Sequence, residues 1–282
     1  MSCLFWKKSE MDRKNASFSF AMGGDSHCGK IKSINEDSYC YCNPPGTSAA
    51  FALVGDGIGG HKDGDIASNF MAKLFLFRFR EFLRVRKKKE NMDPGKFLVD
   101  CALESNRIMA EVNHSAGCLH PMGTTLAACL FSGKKFYTIH AGDSRIYLFR
   151  KGKLIQLTRD HSIVQSLIDK GKLKEEEALF HPMAHVITKA VGPREYLDPA
   201  GSVGELKKGD FFLLCSDGLL RHVKEKRLSG ILRTKELTPS QMAHKLVMEA
   251  LYGGGADNIT VLCVKVEKLP GNKFLRFFKF SP

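Results

Sequence analysis

The sequence predicts a single α+β domain, on three observations. Short apolar runs at residues 49–54, 211–215 and 259–264 are bounded by glycine and aspartate and have the length of buried strands. Three longer segments carry apolar residues at helical spacing: 65 to about 85 (Ile66, Phe70, Leu74, Phe77), 97 to about 112 (Leu98, Ala102, Ile108, Met109) and 239–252 (Met242, Leu246, Ala250). Ser132-Gly133-Lys134 joins an apolar stretch at 123–131 to another at 135–140, a hairpin signal that implies antiparallel pairing. With 282 residues, 43% of them hydrophobic, the chain can bury a sizeable core, and one large domain is favoured over two small ones.

In chain order, residues 1–15 read as a loose polar leader. Residues 16–22 alternate small or polar with apolar, a half-buried strand, and Gly23-Gly24-Asp25 reads as the turn that ends it. Asn35-Glu36-Asp37 places an amide and two carboxylates at the mouth of a strand over 38–42. The run 49–54 leads to Asp56 and a glycine-rich stretch, Gly55-Asp56-Gly57-Ile58-Gly59-Gly60-His61-Lys62-Asp63-Gly64, in which tight turns and close backbone approach are expected. The first helix ends in Arg78, Arg80, Arg84, Arg86, Lys87, Lys88 and Lys89, a solvated helix end by the usual reading and a dock for an acidic partner by a sharper one. Asp93-Pro94-Gly95 reads as a breaker. Ala141-Gly142-Asp143-Ser144-Arg145 interrupts the strands on either side, and Asp160 or Ser162 is a candidate cap for the helix that follows. Residues 163–195 are charged and read as helical, broken at Gly171 and Pro182. Ser216-Asp217-Gly218 ends the run 211–215, and Gly255-Ala256-Asp257-Asn258 precedes the last strand.

The bulk composition excludes several classes. Lys+Arg 43 against Asp+Glu 30 gives a net charge of +13, which favours acidic or phosphorylated partners, but no groove-reading or base-stacking element accompanies it, so no specific nucleic acid is expected. Nine cysteines without a Cys-x-x-Cys pair are expected to be reduced and packed, which points to a cytoplasmic protein and away from a zinc site. Cys40-x-Cys42 on a strand points both thiols to one side. No apolar run approaches the ~20 residues that span a bilayer, so no transmembrane segment is expected. The first residues also lack the apolar length of a signal peptide.

A pattern recurs. Asp56, Asp143, Asp217 and Asp257 each stand beside glycine at the junction of an apolar strand. If those strands lie side by side, the carboxylates converge at one edge, where like charges repel and call for cations. A carboxylate with bare backbone oxygen suits a hard ion such as Mn²⁺ or Mg²⁺, and a pair of such ions serves hydrolysis by an activated water. Phosphoryl transfer then requires no serine or cysteine nucleophile.

On Gly29…Asn35-Glu36-Asp37, Asp56-Gly57-Ile58-Gly59-Gly60-His61, Met122-Gly123-Thr124-Thr125, Gly142-Asp143-Ser144-Arg145, Leu157-Thr158-Arg159-Asp160-His161-Ser162, Ser216-Asp217-Gly218-Leu219 and Gly255-Ala256-Asp257-Asn258-Ile259-Thr260, the chain resembles the metal-dependent protein phosphatases of the protein phosphatase 2C class, bacterial serine/threonine type. The resemblance runs from about residue 18 to 266. It implies a four-layer α/β/β/α sandwich, two antiparallel sheets flanked by helices, over a catalytic domain at 16–267, with a flap at about 163–195 and a basic aromatic tail at 268–282. It implies two catalytic ions bridged by Asp56. The Gly57 carbonyl, and Glu36 mostly through water, would serve one ion; Asp217 and Asp257 would hold the other. Asp143 would join Asp217 at a third, weaker ion. Asp37 would orient water and ligands at the catalytic centre, and Asn258 would support it from behind. The substrates implied are proteins phosphorylated on serine or threonine, with a cognate Ser/Thr kinase as the opposing enzyme and a monomer as the working form.

Two departures stand out. The family usually carries arginine at Lys32, where it grips the substrate phosphate; lysine keeps the charge and loses the planar fork, so weaker binding is expected. Ile58 stands where animal members carry histidine and bacterial members methionine, which leaves water to protonate the leaving group. His61, His140 and His161 are expected to be structural. The alternatives of another class are a phosphoprotein-binding regulator with feeble catalysis, supported by Lys32 alone, and a hydrolase of a different phosphoester, suggested by the net charge.

Overall fold

The computed structural model describes residues 18–58, 63–87, 92–117, 119–178, 180–234 and 236–269, without the side chains of residues 86 and 87. The leader 1–15, His61, Cys3, Cys118, the basic residues Lys88 and Lys89, and the tail beyond 269 lie outside the described residues.

Two antiparallel sheets form the centre. One runs β1 (Ser19–His27), β11 (Ile259–Lys268), β10 (Phe211–Cys215), β7 (Arg145–Arg150), β8 (Lys153–Gln156). The other runs β2 (Asp37–Cys42), β3 (Ala49–Ile58), β5 (Leu126–Ser132), β6 (Lys135–Ala141), β9 (Ala200–Glu205), with the two-residue β4 (Gly123–Thr124) paired to the end of β3. Helices α1 (Gly64–Lys87) and α2 (Pro94–Ser115) cover the second sheet, and α5 (Asp217–His222), α6 (Glu225–Leu232) and α7 (Pro239–Tyr252) cover the first. Two short helices, α3 (Ile163–Asp169) and α4 (Glu175–Ala178), lie in the segment between β8 and β9.

The period-2 rule explains why the strands look uniformly apolar. In β3, Ala49, Phe51 and Leu53 face the helices while Ala50, Ala52 and Val54 face the other sheet. In β11, Ile259, Val261 and Cys263 face helices and Leu262, Val264 and Val266 face inward. With both faces covered, neither register position can be polar, so alternation disappears. Between the sheets Phe212 packs edge-on against Phe131 and Phe136, with ring centroids 5.0 and 5.1 Å apart.

Several local expectations change. β1 continues through Gly23-Gly24-Asp25 with no turn, because these glycines meet packing from outside: a Cβ at Gly23 would strike Ser240 of α7, and one at Gly24 the ring of Tyr39. Asp93-Pro94-Gly95 starts a helix. Asp93 is the N-cap, accepting from the backbone N–H of Gly95 and Lys96 at 2.7 and 3.2 Å, and Pro94 occupies the first turn where no N–H is missed. β3 runs straight through Asp56 and Gly57 to Ile58. Among the described residues of 163–195, only α3 and α4 are helical. Ser162 caps α3, while Asp160 is engaged by the Arg145 guanidinium through two bonds of 2.8 Å. None of the seven described cysteines is in a disulfide, and Cys40 and Cys42 both pack on the core under α1 and α2.

Candidate active site

The acidic residues meet at one end of the sandwich, but not along one sheet edge. Asp37 opens β2 and lies opposite Asp56 of β3 in the second sheet. Asp217 follows β10 and Asp257 precedes β11 in the first sheet. Convergence therefore crosses the gap between the sheets. Each sheet contributes neighbouring strand ends, and face-to-face stacking brings the two sets together.

Asp56 is held on both sides by Thr125. Its N–H donates to the Thr125 hydroxyl at 2.8 Å, and its carbonyl accepts from the Thr125 N–H at 2.8 Å. The Thr125 hydroxyl in turn lies 2.6 Å from that of Ser144, beside Asp143. Gly57 passes between Glu36 and Gly64 so closely that a Cβ would strike the carbonyl oxygens of both, and its N–H donates to the Glu36 carbonyl at 3.1 Å. Ser68 of α1 donates to the same carbonyl at 2.6 Å. Asp37 is buried. Its Oδ2 accepts from the Ser216 hydroxyl at 2.7 Å, and its Oδ1 has no partner among the described residues. Asn258 ties the loop before β2 to β11: its Oδ1 accepts from the Glu36 N–H, and its amide donates to the carbonyls of Cys28 and Ile34, all at 2.9 Å.

The electrostatics follow from burial and crowding. Burial pushes the Asp56 carboxyl well above the usual range, and the negative charges of Asp37, Asp217, Asp143 and Asp257 push it further. Asp37 is raised by burial, against the opposing Ser216 hydrogen bond. Asp143 is raised by burial and by Asp217. Glu36 is raised by burial, with the charge of Lys32 opposing. Asp217 is raised by burial even though Arg221 pulls it down.

Arg221 is a member of the site that motif reading missed. Its Nε and Nη2 donate to Asp217 Oδ2 at 2.9 and 2.6 Å, and its Nη1 lies 3.6 Å from Asp257 Oδ2. Asp217 and Arg221 are four apart on α5, a spacing that marks an ion pair in any helix and was the available signal. Thr125 and Ser216, quoted within motifs but given no role, are the others. Lys32 Nζ stands 3.3 Å from Asp257 Oδ1. His140 and His161 have rings stacked at 4.7 Å, and a His161 nitrogen accepts from the Gly142 N–H.

The donor set fits a hard divalent cation. It consists of carboxylates, with an orphaned buried oxygen on Asp37 and mutual repulsion that a cation would relieve. Among the described residues no three acidic, histidine or cysteine side chains close into a ready-made cage. An open cluster suits ions that keep several waters, as Mg²⁺ does. A cavity of about 370 Å³ opens next to Ile58, lined by Lys189, Arg194 and Tyr196 among others.

Comparison with known proteins points to one family. The family model for protein phosphatase 2C matches residues 23–249. The chain belongs to the protein phosphatase 2C family. It is 35% identical over 243 residues to the serine/threonine protein phosphatase PstP of Mycobacterium tuberculosis, covering 84% of this chain but only 43% of that protein. It is 33% identical over 237 residues to the serine/threonine phosphatase stp of Listeria monocytogenes, covering 84% and 92%. The catalytic domain of PstP in complex with two manganese ions superposes with a TM-score of 0.75 at 32% identity, covering 88% of this chain and 99% of that one. Two antiparallel sheets flanked by helices are thus the fold of this protein phosphatase 2C chain and of its solved relatives.

Proposed function

We propose that this phosphatase-family chain hydrolyses phosphoserine and phosphothreonine esters on proteins, opposing a Ser/Thr kinase in the cytoplasm, and that it works as a monomer. The observation that carries the reading is the meeting of Asp37 and Asp56 from one sheet with Asp217 and Asp257 from the other around an unpartnered buried oxygen. Asp56, Glu36, the Gly57 backbone, Asp217 and Asp257 would hold two Mn²⁺ or Mg²⁺ ions. The third, weaker ion that the resemblance implies would need Asp143 and Asp217, and there Arg221 already brings positive charge. When bound, such ions supply a nucleophilic water at neutral pH and neutralise the phosphate ester.

The chain's own residues do the rest. Lys32, exposed and flexible, swings from Asp257 to hold the substrate phosphate. Asp37, aligned by Ser216, accepts a proton or orients water beside Asp56. Asn258 keeps Glu36 in place through its backbone N–H. The cavity next to Ile58, with Lys189, Arg194 and Tyr196, receives the peptide around the phosphorylated residue. Residues 163–195 act as the flap beside it.

Hydrolysis of p-nitrophenyl phosphate and of a phosphothreonine peptide in Mn²⁺ is the direct test. Cleavage of both, abolished by EDTA, is expected. A phosphopeptide that binds without being cleaved would replace this reading with a phosphoprotein-binding one. Lys32→Arg should raise kcat/KM for the peptide several-fold by restoring a two-pronged grip, and an unchanged value sinks the weak-grip argument.

A further inference from the structure

One guanidinium serves three of the site's carboxylates. Arg221 places both its Nε and Nη2 on a single oxygen of Asp217 and its Nη1 near Asp257. Its charge also pulls down the Asp143 carboxyl, which Asp217 raises. The geometry is set by α5, whose one turn carries the side chain from the end of β10 back over the acidic cluster. A carboxylate oxygen that accepts two charge-assisted bonds has little lone-pair capacity left for a metal. Unlike a bound ion, arginine cannot dissociate, and its charge is permanent.

We propose that Arg221 is a positioning residue that acts as a fixed counter-cation on the Asp217–Asp143 side of the cluster, taking the place of a third divalent ion and competing with the ion that Asp217 and Asp257 would share. The inference rests on reading the carboxylates as a metal centre. It makes the resting cluster stable without a full complement of ions, and sets how much Mn²⁺ is needed to fill it.

Calorimetric titration of the full chain with Mn²⁺ tests this. The unaltered protein should take two ions. Arg221→Gln should take a further, weaker ion, or bind the two at least several-fold more tightly, and its metal-free form should melt at a lower temperature that Mn²⁺ restores. Arg221→Lys, which keeps a charge but not the fork, should fall between, and carries the test alone if Arg221→Gln does not fold. Arg227→Gln, which breaks the Arg227–Glu249 pair between α6 and α7, controls for loss of any surface ion pair and should titrate as the unaltered protein does. Unchanged stoichiometry and affinity in both Arg221 variants overturns the inference while leaving the metal centre intact. An unaltered protein that binds no Mn²⁺ at all overturns the metal-centre reading itself.

Discussion

Asp56 and Asp37, delivered by the second sheet, stand in a field of other negative charges, whereas Asp217 and Asp257, delivered by the first, are met by Arg221 and Lys32. The same residue type is thus used in two ways within one cluster. On the β2–β3 side, charge is left uncompensated and held by backbone clamps from Thr125 and by Ser216. On the β10–β11 side, charge is compensated in advance by the side chains of Arg221 and Lys32. The uncompensated side stores repulsion that protons or a bound cation would relieve, and the compensated side would set how readily that cation is taken.

The largest expected effect separates the two sides. Asp56→Asn removes one buried charge from a crowd of like charges. It should lower turnover on the order of 10³-fold, since metal assistance supplies several kcal/mol of the barrier reduction. It should also raise the melting temperature of the metal-free protein. Asp257→Asn should cost activity comparably yet fail to stabilise the metal-free protein, because Arg221 and Lys32 lose a partner. Calorimetry without metal, run beside activity in Mn²⁺, reads both. If both variants shift the melting point in the same direction, the comparison is wrong.

How much of this was legible in the sequence follows from what each signal measures. β3, β10 and β11 were readable because burial on both faces leaves unbroken apolar runs, and α1, α2 and α7 because one face is buried. β8 and β9 carry exposed or half-exposed residues and no apolar pattern, so nothing in them announces a strand. The turn expected at Gly23–Gly24 was absent because those glycines answer to Ser240 and Tyr39, contacts distant in sequence. The carboxylates were found one by one from their strand junctions. The strand junctions alone led to convergence along one sheet edge, and the meeting instead crosses between two sheets, since stacking has no local signature. Arg221 was overlooked because glycine and aspartate drew the reading, although its spacing from Asp217 was in plain view.

An intermediate effect sharpens the link between the two sides. The Ser216 hydroxyl donates to Asp37 of β2 and accepts from the Thr260 N–H of β11, joining one sheet to the other beneath the cluster. Ser216→Ala removes the hydroxyl that donates to Asp37 Oδ2. Mn²⁺ affinity should fall about 10-fold, the scale on which groups that orient metal ligands act. A titration showing unchanged affinity would mean that Asp37 needs no alignment and that the sheets are joined there by packing alone.

The smallest effect is a pH dependence with a definite sign. Asp37 is pushed up to about 7 by burial, and Asp56 is raised in the same direction by burial and its neighbours. Unfolded, both return to about 4. Between those values the folded, metal-free protein holds more protons than the unfolded chain, so its stability falls as pH rises from about 4 towards 7. A bound divalent ion replaces those protons, and with Mn²⁺ present the fall should disappear. For a domain of this size about 1 kcal/mol moves the melting temperature by about 2–4 °C, so a drop of a few degrees across the window is measurable. Melting curves at several pH values with EDTA and with Mn²⁺ check it. In Asp56→Asn the metal-free slope should shrink, whereas in Arg221→Lys it should persist, because the protons reside on the side of the cluster that has no cation of its own.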